Sequence, residues 1–382
     1  MRKAVLVTNI PSPYRIPLFN AIAGQLRQDN IELTVIFGRK TYERRKFDQV
    51  SESEFEFQYR FLDSETIDFG NQEKTYFSYK GLFAELRKIQ PDCIIMNGYT
   101  VATTILWLRS FLSNVPFIVW SGSIFKSGRF DSLIRRIQRK LIIRRASAFI
   151  AYGSLAKEYL IEMGASEDEV FVGINTVDTR FFKEKTTMLK RDIVKEENKF
   201  SLTYIGYLSA RKNVIAVLNV MKELVKHRKD FVLDILGDGP ELENLKNFVL
   251  LNKLSNHVKF HGFIQKKEIP IFLAKSDCFL FQTDFDIWGL VLNEAMASGC
   301  LVISSENAGA TKDLIQHGVN GYIADYREPV AVAKILDDIL CDPKSSEAIR
   351  RAAMEFIETK ASVEISAAGF TGAITYALGQ NK

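Results

Sequence analysis

Two acids and a glycine in one short segment have the chemistry to hold a sugar that is attached to a phosphate. Asp286 and Glu294 lie eight positions apart, with Gly289 between them. Carboxylates accept hydrogen bonds from sugar and ribose hydroxyls. Gly289 lets the backbone approach a ligand without a side chain in the way. The first N–H groups of a following helix would hold a diphosphate, because partial positive charge at a helix start favours anions. These groups are the N–H groups of Gly289, Leu290 and Val291.

The surrounding residues predict the elements that would position these groups. Leu290–Ala297 consists of strong helix formers, which places Glu294 about two turns after Asp286. Gly299 ends this helix, and Cys300–Ile303 is an apolar, β-prone run. For either acid alone, a turn cap or a solvated helix residue is the simpler interpretation. The complete order of loop, helix start and buried strand favours a ligand site.

The segment resembles the acid-x7-Glu signature of the retaining GT-B glycosyltransferases of family 4, usually written E-x-F-G-L-x-x-x-E-A-x-A-x-G-x-P-V-I. Aspartate stands here in place of the first glutamate, and Cys300-Leu301 replaces the usual x-Pro. The resemblance implies a catalytic role for Asp286, which keeps the charge but has a shorter reach. It also implies that the sugar donor is bound by Trp288, Gly289, Leu290, Val291 and Glu294.

A second candidate segment, Gly206–Asn213, follows the predicted strand Ser201–Ile205 and contains a glycine turn and two cations, Arg211 and Lys212. Lysine is a point charge and arginine a bidentate fork, and both suit a diphosphate, although exposed cations at a helix start are common. The segment resembles the family's G-R-L-x-x-x-K-G loop. This implies that Gly206 contacts the donor and that Lys212, with Arg211, neutralises the leaving diphosphate. Tyr207 occupies the family's Arg position.

Phe263 lies in the loop that follows another predicted strand, Val258–Phe260. In the family this loop lies against the nucleobase of the donor through backbone groups, so the resemblance implies that Phe263 helps to bind the donor. The neighbouring His261 is better interpreted as an ordinary loop residue than as a catalytic base.

The loop after the first predicted strand, Ala4–Asn9, contains Pro13, Tyr14 and Arg15. Open α/β sheets bind ligands where loops leave the C-terminal ends of their strands. The prolines alone indicate a stiffened turn, but Arg15 at a crevice rim has the charge to meet a phosphate or an acceptor sugar. The segment N-I-P-x-P-Y-R resembles the start of a subset of bacterial family 4 enzymes that build surface polysaccharides. It lacks the G-G of many other members.

Gly98 and Ser121 lie in loops that follow two further predicted strands, Asp92–Met96 and Val115–Trp120. These loops are expected to line the same crevice as Arg15. Many family 4 enzymes carry a histidine in the second of them, beside the transferred sugar, and Ser121 occupies the nearest position. Its hydroxyl can form hydrogen bonds but carries no charge. The resemblance implies that Gly98 and Ser121 lie on the acceptor side.

The order of predicted elements indicates two α/β domains. Apolar strands alternate with helices in both halves, which is typical of parallel sheets covered on both faces. The resemblance implies the GT-B fold, in which two Rossmann-like domains face a central cleft. We expect an acceptor-side domain at 1–180, an exposed linker at 181–199, a nucleotide-sugar-binding domain at 200–360, and a C-terminal helix at 361–382 that packs back on the first domain.

Composition excludes several classes of function. The 382 residues suffice for two domains, and a net charge of +5 is too weak for a nucleic-acid binder. No apolar run reaches the roughly 18 residues of a transmembrane helix. The four cysteines have no metal spacing and fit a reducing cytoplasm. No Asp-x-Asp stands in a convincing loop context, so we expect no metal and no other cofactor, with Lys212, Arg211 and the helix start supplying positive charge.

Phe130–Arg145 has the pattern of a basic amphipathic helix, with apolar residues at a 3.6-residue period and arginines between them. The simpler interpretation is a surface helix whose apolar stripe packs on the sheet. The other is docking to an anionic membrane surface. Both hold if the apolar stripe faces the core while the arginines face lipid headgroups. We therefore expect a cytoplasmic protein, and in the functional interpretation of this helix the protein also docks peripherally at the inner face of the membrane.

Together these patterns predict an enzyme that moves a sugar, with retention, from a nucleotide-sugar to an acceptor hydroxyl. The resemblance implies a glycan or lipid-linked glycan acceptor in the biosynthesis of bacterial polysaccharide, capsule or lipopolysaccharide. Two alternatives stay open. A nucleotide-sugar 2-epimerase of the same fold would form product without an acceptor, and a non-catalytic scaffold would not need to bind or cleave nucleotide-sugars.

Overall fold

The computed structural model describes residues 1–41, 46, 48–67, 76–125, 132–192 and 199–380. They form two compact units, of which the first comprises Met1–Asn175 and Val363–Lys382 and the second comprises Thr176–Ser362. Each unit contains a parallel sheet with helices between successive strands. The predicted pair of Rossmann-like α/β domains is therefore confirmed.

The strands of the first unit begin with an apolar run that is buried almost throughout its length. Except for a short antiparallel hairpin of β4 and β5, they form one parallel sheet in the order β3-β2-β1-β6-β7-β8-β9. Apolar side chains pack on both faces, as expected for a sheet covered by helices. The strands are β1 (Arg2–Thr8), β2 (Ile31–Phe37), β3 (Gln58–Phe61), β4 (Thr66–Ile67), β5 (Tyr76–Phe77), β6 (Cys93–Asn97), β7 (Phe117–Ser121), β8 (Ala148–Ala151) and β9 (Val170–Val172).

The helices between these strands follow the predicted alternation. Capping residues mark some of their starts: the side chain of Thr100 accepts from the N–H of Thr103, and that of Ser132 from the N–H of Arg135. The helices are α1 (Ile16–Gln28), α2 (Leu82–Ile89), α3 (Val101–Arg109), α4 (Leu133–Ile143) and α5 (Ser154–Glu162).

Between the two sheets the structure differs from the predicted linker at 181–199. Helix α6 (Thr179–Asp192) occupies most of that range, and residues 193–198 lie outside the described residues. The helix is charged, but Phe182 and Thr186 are buried. Lys190 Nζ also donates to the carbonyl oxygen of Ser298 at 2.9 Å. The charged composition therefore marks the solvent face of a packed helix, and the chain passes from the first unit to the second before it, after Asn175.

The second unit is built on a parallel sheet in the order β12-β11-β10-β13-β14-β15. Its apolar core includes buried side chains from the central strands and from the helices that cover them. The strands are β10 (Phe200–Ile205), β11 (Phe231–Leu236), β12 (Val258–Gly262), β13 (Cys278–Phe281), β14 (Leu301–Ser304) and β15 (Tyr322–Ile323). The helices are α7 (Val214–Leu224), α8 (Leu242–Leu251), α9 (Ile269–Lys275), α10 (Leu290–Ala297), α11 (Gly309–Leu314), α12 (Pro329–Cys341) and α13 (Pro343–Lys360).

The last helix, α14 (Val363–Gly379), belongs to the first unit, where it packs against α1. The ring of Phe370 meets the ring of Trp120 edge-on, with centroids 4.9 Å apart. Gln25 Nε2 donates to the carbonyl oxygen of Glu364 at 3.0 Å. The chain thus leaves the first unit at Asn175 and returns to complete its core with α14.

In the described ranges, no helix combines the length and the apolar character needed to cross a membrane. Cys93, Cys278 and Cys300 are buried, Cys341 is exposed, and all four carry free thiols. The three buried cysteines lie in or beside sheet strands, where they pack as small apolar residues.

Candidate functional site

The candidate donor residues lie where the strand order of the second sheet reverses. Strands β10 and β13 are neighbours, and the chain proceeds from them to opposite edges of the sheet. The loops that follow two such strands diverge, which opens a crevice at the carboxyl end of the sheet. Gly206–Asn213 follows β10, and Gln282–Gly289 follows β13. The sequence predicted site residues in both loops, and the topology brings the two loops to one edge.

Lys212 ends a 3-10 turn, Ala210–Lys212, and its side chain is almost completely buried. The ammonium group forms an ion pair with the carboxylate of Asp286 and lies 4.9 Å from the ring centroid of Phe281. Asn213 follows in the left-handed conformation, at φ 44°, and begins α7. The cation is therefore held by an acid and an aromatic face at the reversal point.

Asp286 is fixed by backbone contacts on three sides. Its N–H donates to the carbonyl oxygen of Asn307 at 3.2 Å, and its carbonyl oxygen accepts from the N–H of Gly309 at 3.0 Å. Its Oδ1 accepts from the N–H of Trp288 at 3.2 Å, while Oδ2 meets Lys212. These contacts leave the carboxylate little freedom to turn away from the lysine.

Arg211 connects the two loops. Its Nη1 donates to the carbonyl oxygen of Phe285, and its own carbonyl oxygen accepts from the N–H of Asp284 at 2.9 Å and from Thr283 Oγ1 at 3.3 Å. The sequence predicted that Arg211 neutralises a diphosphate. In the structure its guanidinium also holds the β13 loop in place, which positions Asp286.

Gly289 begins α10 with a backbone that disfavours any other residue. Its φ is +105°, and a Cβ atom there would lie 2.6 Å from Cε1 of Phe281. The same Phe281 ring contacts Lys212, so the lysine and the helix start both lie against one aromatic side chain. Leu290 and Val291 are half-buried in the first turn, where helix geometry leaves their own N–H groups without an intrahelical acceptor.

Glu294 lies in α10 and is buried. Its Oε2 has no hydrogen-bond partner within the described parts of the chain. Burial raises the pKa of this carboxyl to about 7, and Lys266 opposes the shift. Buried polar atoms are normally satisfied, so an unpartnered carboxylate oxygen calls for an explanation. A ligand hydroxyl would supply the missing donor.

The remaining predicted donor residues lie in different environments. The Trp288 side chain is buried, and its Nε1 donates to Asn293 Oδ1 at 3.0 Å. Trp288 therefore braces α10 through its indole N–H, and its role in donor binding stays a prediction. At Gly206 a Cβ atom would lie 3.0 Å from the hydroxyl of Tyr204. Phe263 follows Gly262, which has φ +69°, and is exposed at the end of β12.

In the first unit, the loop after β1 also stands at a reversal of strand order, because β1 is the neighbour of β6. Arg15 lies there, but it is enclosed rather than exposed at a rim as predicted. Its Nη1 donates to Asn175 Oδ1 at 2.8 Å and its Nη2 to Tyr152 Oη at 3.2 Å. The guanidinium carbon lies 4.4 Å from the ring centroid of Trp120. Planar guanidinium groups stack well on aromatic faces, which accounts for a buried cation here.

The other predicted acceptor-side residues divide into accessible and inaccessible ones. Gly98, at φ +72°, has open space where a side chain would project, and Pro13 and Tyr14 are half-buried. Ser121 is buried, and its Oγ accepts from the N–H of Ser123 at 3.1 Å. The hydroxyl of Ser121 thus supports its own loop, and its place on the acceptor side stays a prediction.

Sequence reasoning missed the aromatic and amide residues that surround the two cations. The signal was present in part, because Trp120 was predicted at the end of an apolar strand, where side chains meet at one sheet edge. The contact between Phe281 and Lys212 had no sequence signal, since it depends on the approach of two loops.

Comparison with known proteins defines the class. Residues 186–356 match the family model of group 1 glycosyl transferases. An uncharacterised glycosyltransferase of Haemophilus influenzae is 24% identical over 274 residues, which cover 71% of this chain and 73% of the relative. The amylovoran biosynthesis glycosyltransferase AmsK of Erwinia amylovora is 30% identical over 183 residues, 46% of this chain and 43% of AmsK. The structure of HepE from Anabaena with UDP-glucose is similar at a TM-score of 0.73 and 18% identity, covering 98% of this chain and 100% of HepE.

Residues 186–356 of the second unit are thus similar to the group 1 glycosyl transferases, and the protein is an enzyme of the glycosyltransferase class. The similarity to HepE extends through both units, so the fold is GT-B. In the part of the chain that the structure describes, no group of three or more His, Cys, Asp or Glu side chains is arranged to hold a metal ion.

Proposed function

We propose that the protein transfers a sugar, with retention of anomeric configuration, from a nucleotide-sugar to a hydroxyl of a glycan or lipid-linked glycan in polysaccharide biosynthesis. The observation that carries this proposal is the cluster at the reversal point of the second sheet. Lys212 there pairs with Asp286 and shares the Phe281 ring with the start of α10. A cation, an acid and a helix N-terminus at one ligand-binding edge suit a sugar diphosphate.

The donor's diphosphate would take the ammonium of Lys212 from Asp286. The diphosphate and the Asp286 carboxylate are both oxygen anions. The exchange therefore replaces one charge-assisted contact of Lys212 with another and leaves the lysine paired. The N–H groups at the start of α10 add partial positive charge to the same place. The released carboxylate of Asp286 can then accept hydrogen bonds from hydroxyls of the transferred sugar.

Glu294 would grip the ribose of the donor. Its Oε2 is buried and has no partner among the described residues, and a ribose hydroxyl is a donor of suitable chemistry. The pKa of Glu294, raised to about 7 by burial, means that ligand binding also changes the protonation of this group. Exposed Phe263 lies after the end of β12, where it can border the nucleobase.

In the proposed reaction, the bond between the sugar's anomeric carbon and the diphosphate oxygen breaks. A bond from the acceptor oxygen forms on the same face of the sugar, and the acceptor's proton passes to the departing phosphate. Lys212, Arg211 and the helix start stabilise the charge that develops on the leaving group. Because these groups already supply positive charge at the leaving group, we propose that the transfer does not depend on a metal.

We propose that the acceptor is bound by the first unit at the loop edge formed by Pro13, Tyr14 and Gly98. The open space at Gly98 supports this role. Arg15 stabilises the loop from inside through Asn175, Tyr152 and Trp120. Ser121 supports the neighbouring loop, to which it belongs, through the N–H of Ser123, and we propose that this loop forms part of the same acceptor side.

A donor panel tests the proposal directly. UDP-, GDP- and ADP-sugars are added separately to the full chain, with the free sugars as controls, and the thermal midpoint is recorded. The cognate nucleotide-sugar should raise the midpoint, because a ligand at 100 times its dissociation constant stabilises by about 2.7 kcal/mol. The proton NMR spectrum of the glycoside formed with an acceptor extract then gives the anomeric configuration.

Four outcomes contradict parts of the proposal. Inverted configuration removes retention, and donor turnover that gives an altered nucleotide-sugar without an acceptor indicates an epimerase. Binding of no nucleotide-sugar in the panel removes the assignment of the Lys212 cluster. Activity that is unchanged by EDTA agrees with metal independence, whereas activity lost with EDTA and restored by Mg²⁺ overturns it.

A further inference from the structure

Helix α4 exposes most of the apolar residues that were predicted to pack on the sheet. Only Ile142 and Ile143, in its last turn, are buried. The exposed fractions of the earlier residues are 73% for Leu133, 78% for Ile134, 50% for Ile137 and 41% for Leu141. The apolar stripe of this helix therefore faces solvent over its first two turns, where the sequence pattern favoured a stripe turned to the core.

The exposed surface of α4 continues onto the end of α3. Leu108, Phe111 and Leu112 are also exposed there. The two segments are fastened together, since Gln138 Nε2 donates to Thr104 Oγ1 at 2.7 Å and Arg145 Nη2 donates to the carbonyl oxygen of Ser110 at 2.6 Å. We call this region the α3–α4 surface; its apolar members are Leu108, Phe111, Leu112, Leu133, Ile134, Ile137 and Leu141.

Positive charge accompanies the apolar residues on this surface. Arg135, Arg136, Lys140 and Arg144 are exposed on α4. Arg139 is instead engaged with the hydroxyl of Tyr159 at 2.7 Å. The sequence has no Asp or Glu in 101–115 or in 132–147. The α3–α4 surface thus combines long apolar side chains with exposed cations on α4 that form no ion pair with an acid among the described residues.

The exposed apolar residues and the exposed cations of the surface together decide which partner it fits. A nucleic acid would use the cations but leave the leucines and isoleucines in contact with phosphate and water. A symmetric contact with a second copy would cover the apolar residues but place two sets of arginines against each other. The boundary between anionic headgroups and acyl chains satisfies both, because apolar side chains insert while arginines and lysines remain at the phosphates.

We propose that the α3–α4 surface docks the protein on the face of a bilayer that contains anionic lipid. Insertion of the apolar residues supplies the short-range attraction, and the exposed cations on α4 supply the attraction to headgroups. This inference rests on the first unit alone and does not depend on the proposed sugar transfer. Residues 126–131, which precede α4 and lie outside the described residues, carry no part of it.

Vesicle sedimentation of the full chain tests the docking. Vesicles of phosphatidylcholine with about one third phosphatidylglycerol should bind the protein, and binding should weaken as salt is raised. Vesicles of phosphatidylcholine alone should bind at least about tenfold less, since each basic residue near an anionic surface contributes about fivefold. Binding that is equal on both kinds of vesicle, or absent on the anionic one, overturns the proposal.

Paired variants separate the apolar and the charged contributions. The apolar variant Ile134→Ser/Ile137→Ser should bind about tenfold or more weakly to anionic vesicles. Its matched control is Leu250→Ser/Leu251→Ser on α8, where both leucines are more than two-thirds exposed. The control should bind like the wild type. Equal binding by the apolar variant, with its thermal midpoint preserved, contradicts insertion of α4.

The charge variant Arg135→Glu/Arg136→Glu should weaken binding by at least about 25-fold, as two contributions of about fivefold combine. Lys334→Glu/Arg351→Glu makes the same change in net charge at exposed positions of the second unit and should have little effect. Analytical ultracentrifugation without lipid provides the other arm. A dimer that the apolar variant dissociates would make the surface a contact between copies and would overturn membrane docking.

Discussion

Each of the two domains has a buried cation at a corresponding place in its sheet, but the groups that contact the cation differ in charge. In each sheet the strand order reverses beside the domain's first strand, and a cation lies in the loop that follows it. In the first unit this is Arg15, held by Asn175, Tyr152 and Trp120, which are all uncharged. In the second it is Lys212, held by the carboxylate of Asp286. The two sheets have the same arrangement of strands at this point, while the partners of the two cations differ.

The difference assigns different tasks to the two loops. A guanidinium that stacks on an aromatic ring and donates to fixed neutral acceptors is anchored by geometry, so Arg15 stabilises its loop. A lysine that is paired with an acid can exchange that acid for another anion, so Lys212 suits a ligand that arrives with a diphosphate. Similar topology thus yields a supporting residue in one domain and a candidate catalytic residue in the other.

The sharpest way to break the comparison is Lys212→Met. We expect kcat to fall by about 10²–10³-fold, because a preorganised charge at the leaving group is lost. The measurement is release of nucleoside diphosphate under saturating donor and acceptor. Lys226→Met removes a lysine that is exposed near the end of α7, also paired with an acid, and should leave kcat unchanged. If Lys212→Met lowers only the thermal midpoint, its pairing with Asp286 is merely structural.

Glu294→Gln sharpens the comparison through the pH dependence of the free energy of unfolding. Burial raises the pKa of Glu294 to about 7 from 4.5, so the folded protein holds the proton more tightly than the unfolded chain. The contribution of Glu294 is most favourable below pH 4.5 and is lost as the pH rises to about 7, a change of about 3 kcal/mol. Glutamine does not titrate. The stability of the wild type relative to this variant should therefore fall over that range.

Urea unfolding of both proteins at several pH values between 4.5 and 8 measures this difference. A similar series for an Arg15 variant should show no such slope, because an arginine stays charged at every pH used. A constant difference between the wild type and Glu294→Gln across the range would mean that the carboxyl is better solvated than its buried position indicates.

A glycine at a helix start, Gly289, can be compared with a glycine in a helix interior, Gly24. Gly289→Ala should destabilise the protein by about 1–3 kcal/mol, since its φ of +105° is strained for alanine and the new Cβ would lie 2.6 Å from Phe281. Gly24 in α1 has open space at its Cβ position, so Gly24→Ala should instead stabilise by about 0.5–1 kcal/mol. The thermal midpoints of the two variants, each compared with that of the wild type, test both expectations. Opposite signs support the assignment, and equal tolerance at both glycines contradicts it.

Arg15→Met should have the smallest effect on catalysis. It leaves Asn175 Oδ1 and Tyr152 Oη without their donor, which costs about 1–3 kcal/mol of stability. Below the midpoint of the variant we expect kcat to stay within a few-fold of the wild type. Arg15→Lys keeps the charge but loses the planar fork, so it should recover only part of the stability. A fall in kcat as large as that of Lys212→Met would place Arg15 in the chemistry.

Much of the fold could be predicted from local pattern. Apolar runs of strand length alternate with amphipathic stretches, and this order specifies parallel sheets because both faces must be covered. The prediction was wrong at 181–192, where charged residues conceal the buried face of α6 carried by Phe182 and Thr186. It was also wrong about the α4 stripe, because periodicity shows that a helix has an apolar face but not what that face meets.

The candidate site was predictable in its members more than in its contacts. Gly289 could be found because a helix start that must admit a ligand or a neighbouring ring requires the smallest residue. The enclosed states of Arg15 and Ser121 could not, since burial depends on residues far away in the chain, such as Asn175. The unpartnered Oε2 of Glu294 is likewise a property of its surroundings.

The sequence alone determined the residue types and the order of elements: two strand–helix series, cations after the first strand of each, and two acids flanking Gly289. Only the tertiary structure decided that Lys212 faces Asp286, that Arg15 is enclosed by Trp120 and Tyr152, and that α4 turns apolar residues to solvent. The physical reason is range. Backbone preference and periodicity act between near neighbours, whereas charge pairing and burial are set by segments that meet only after the chain has folded.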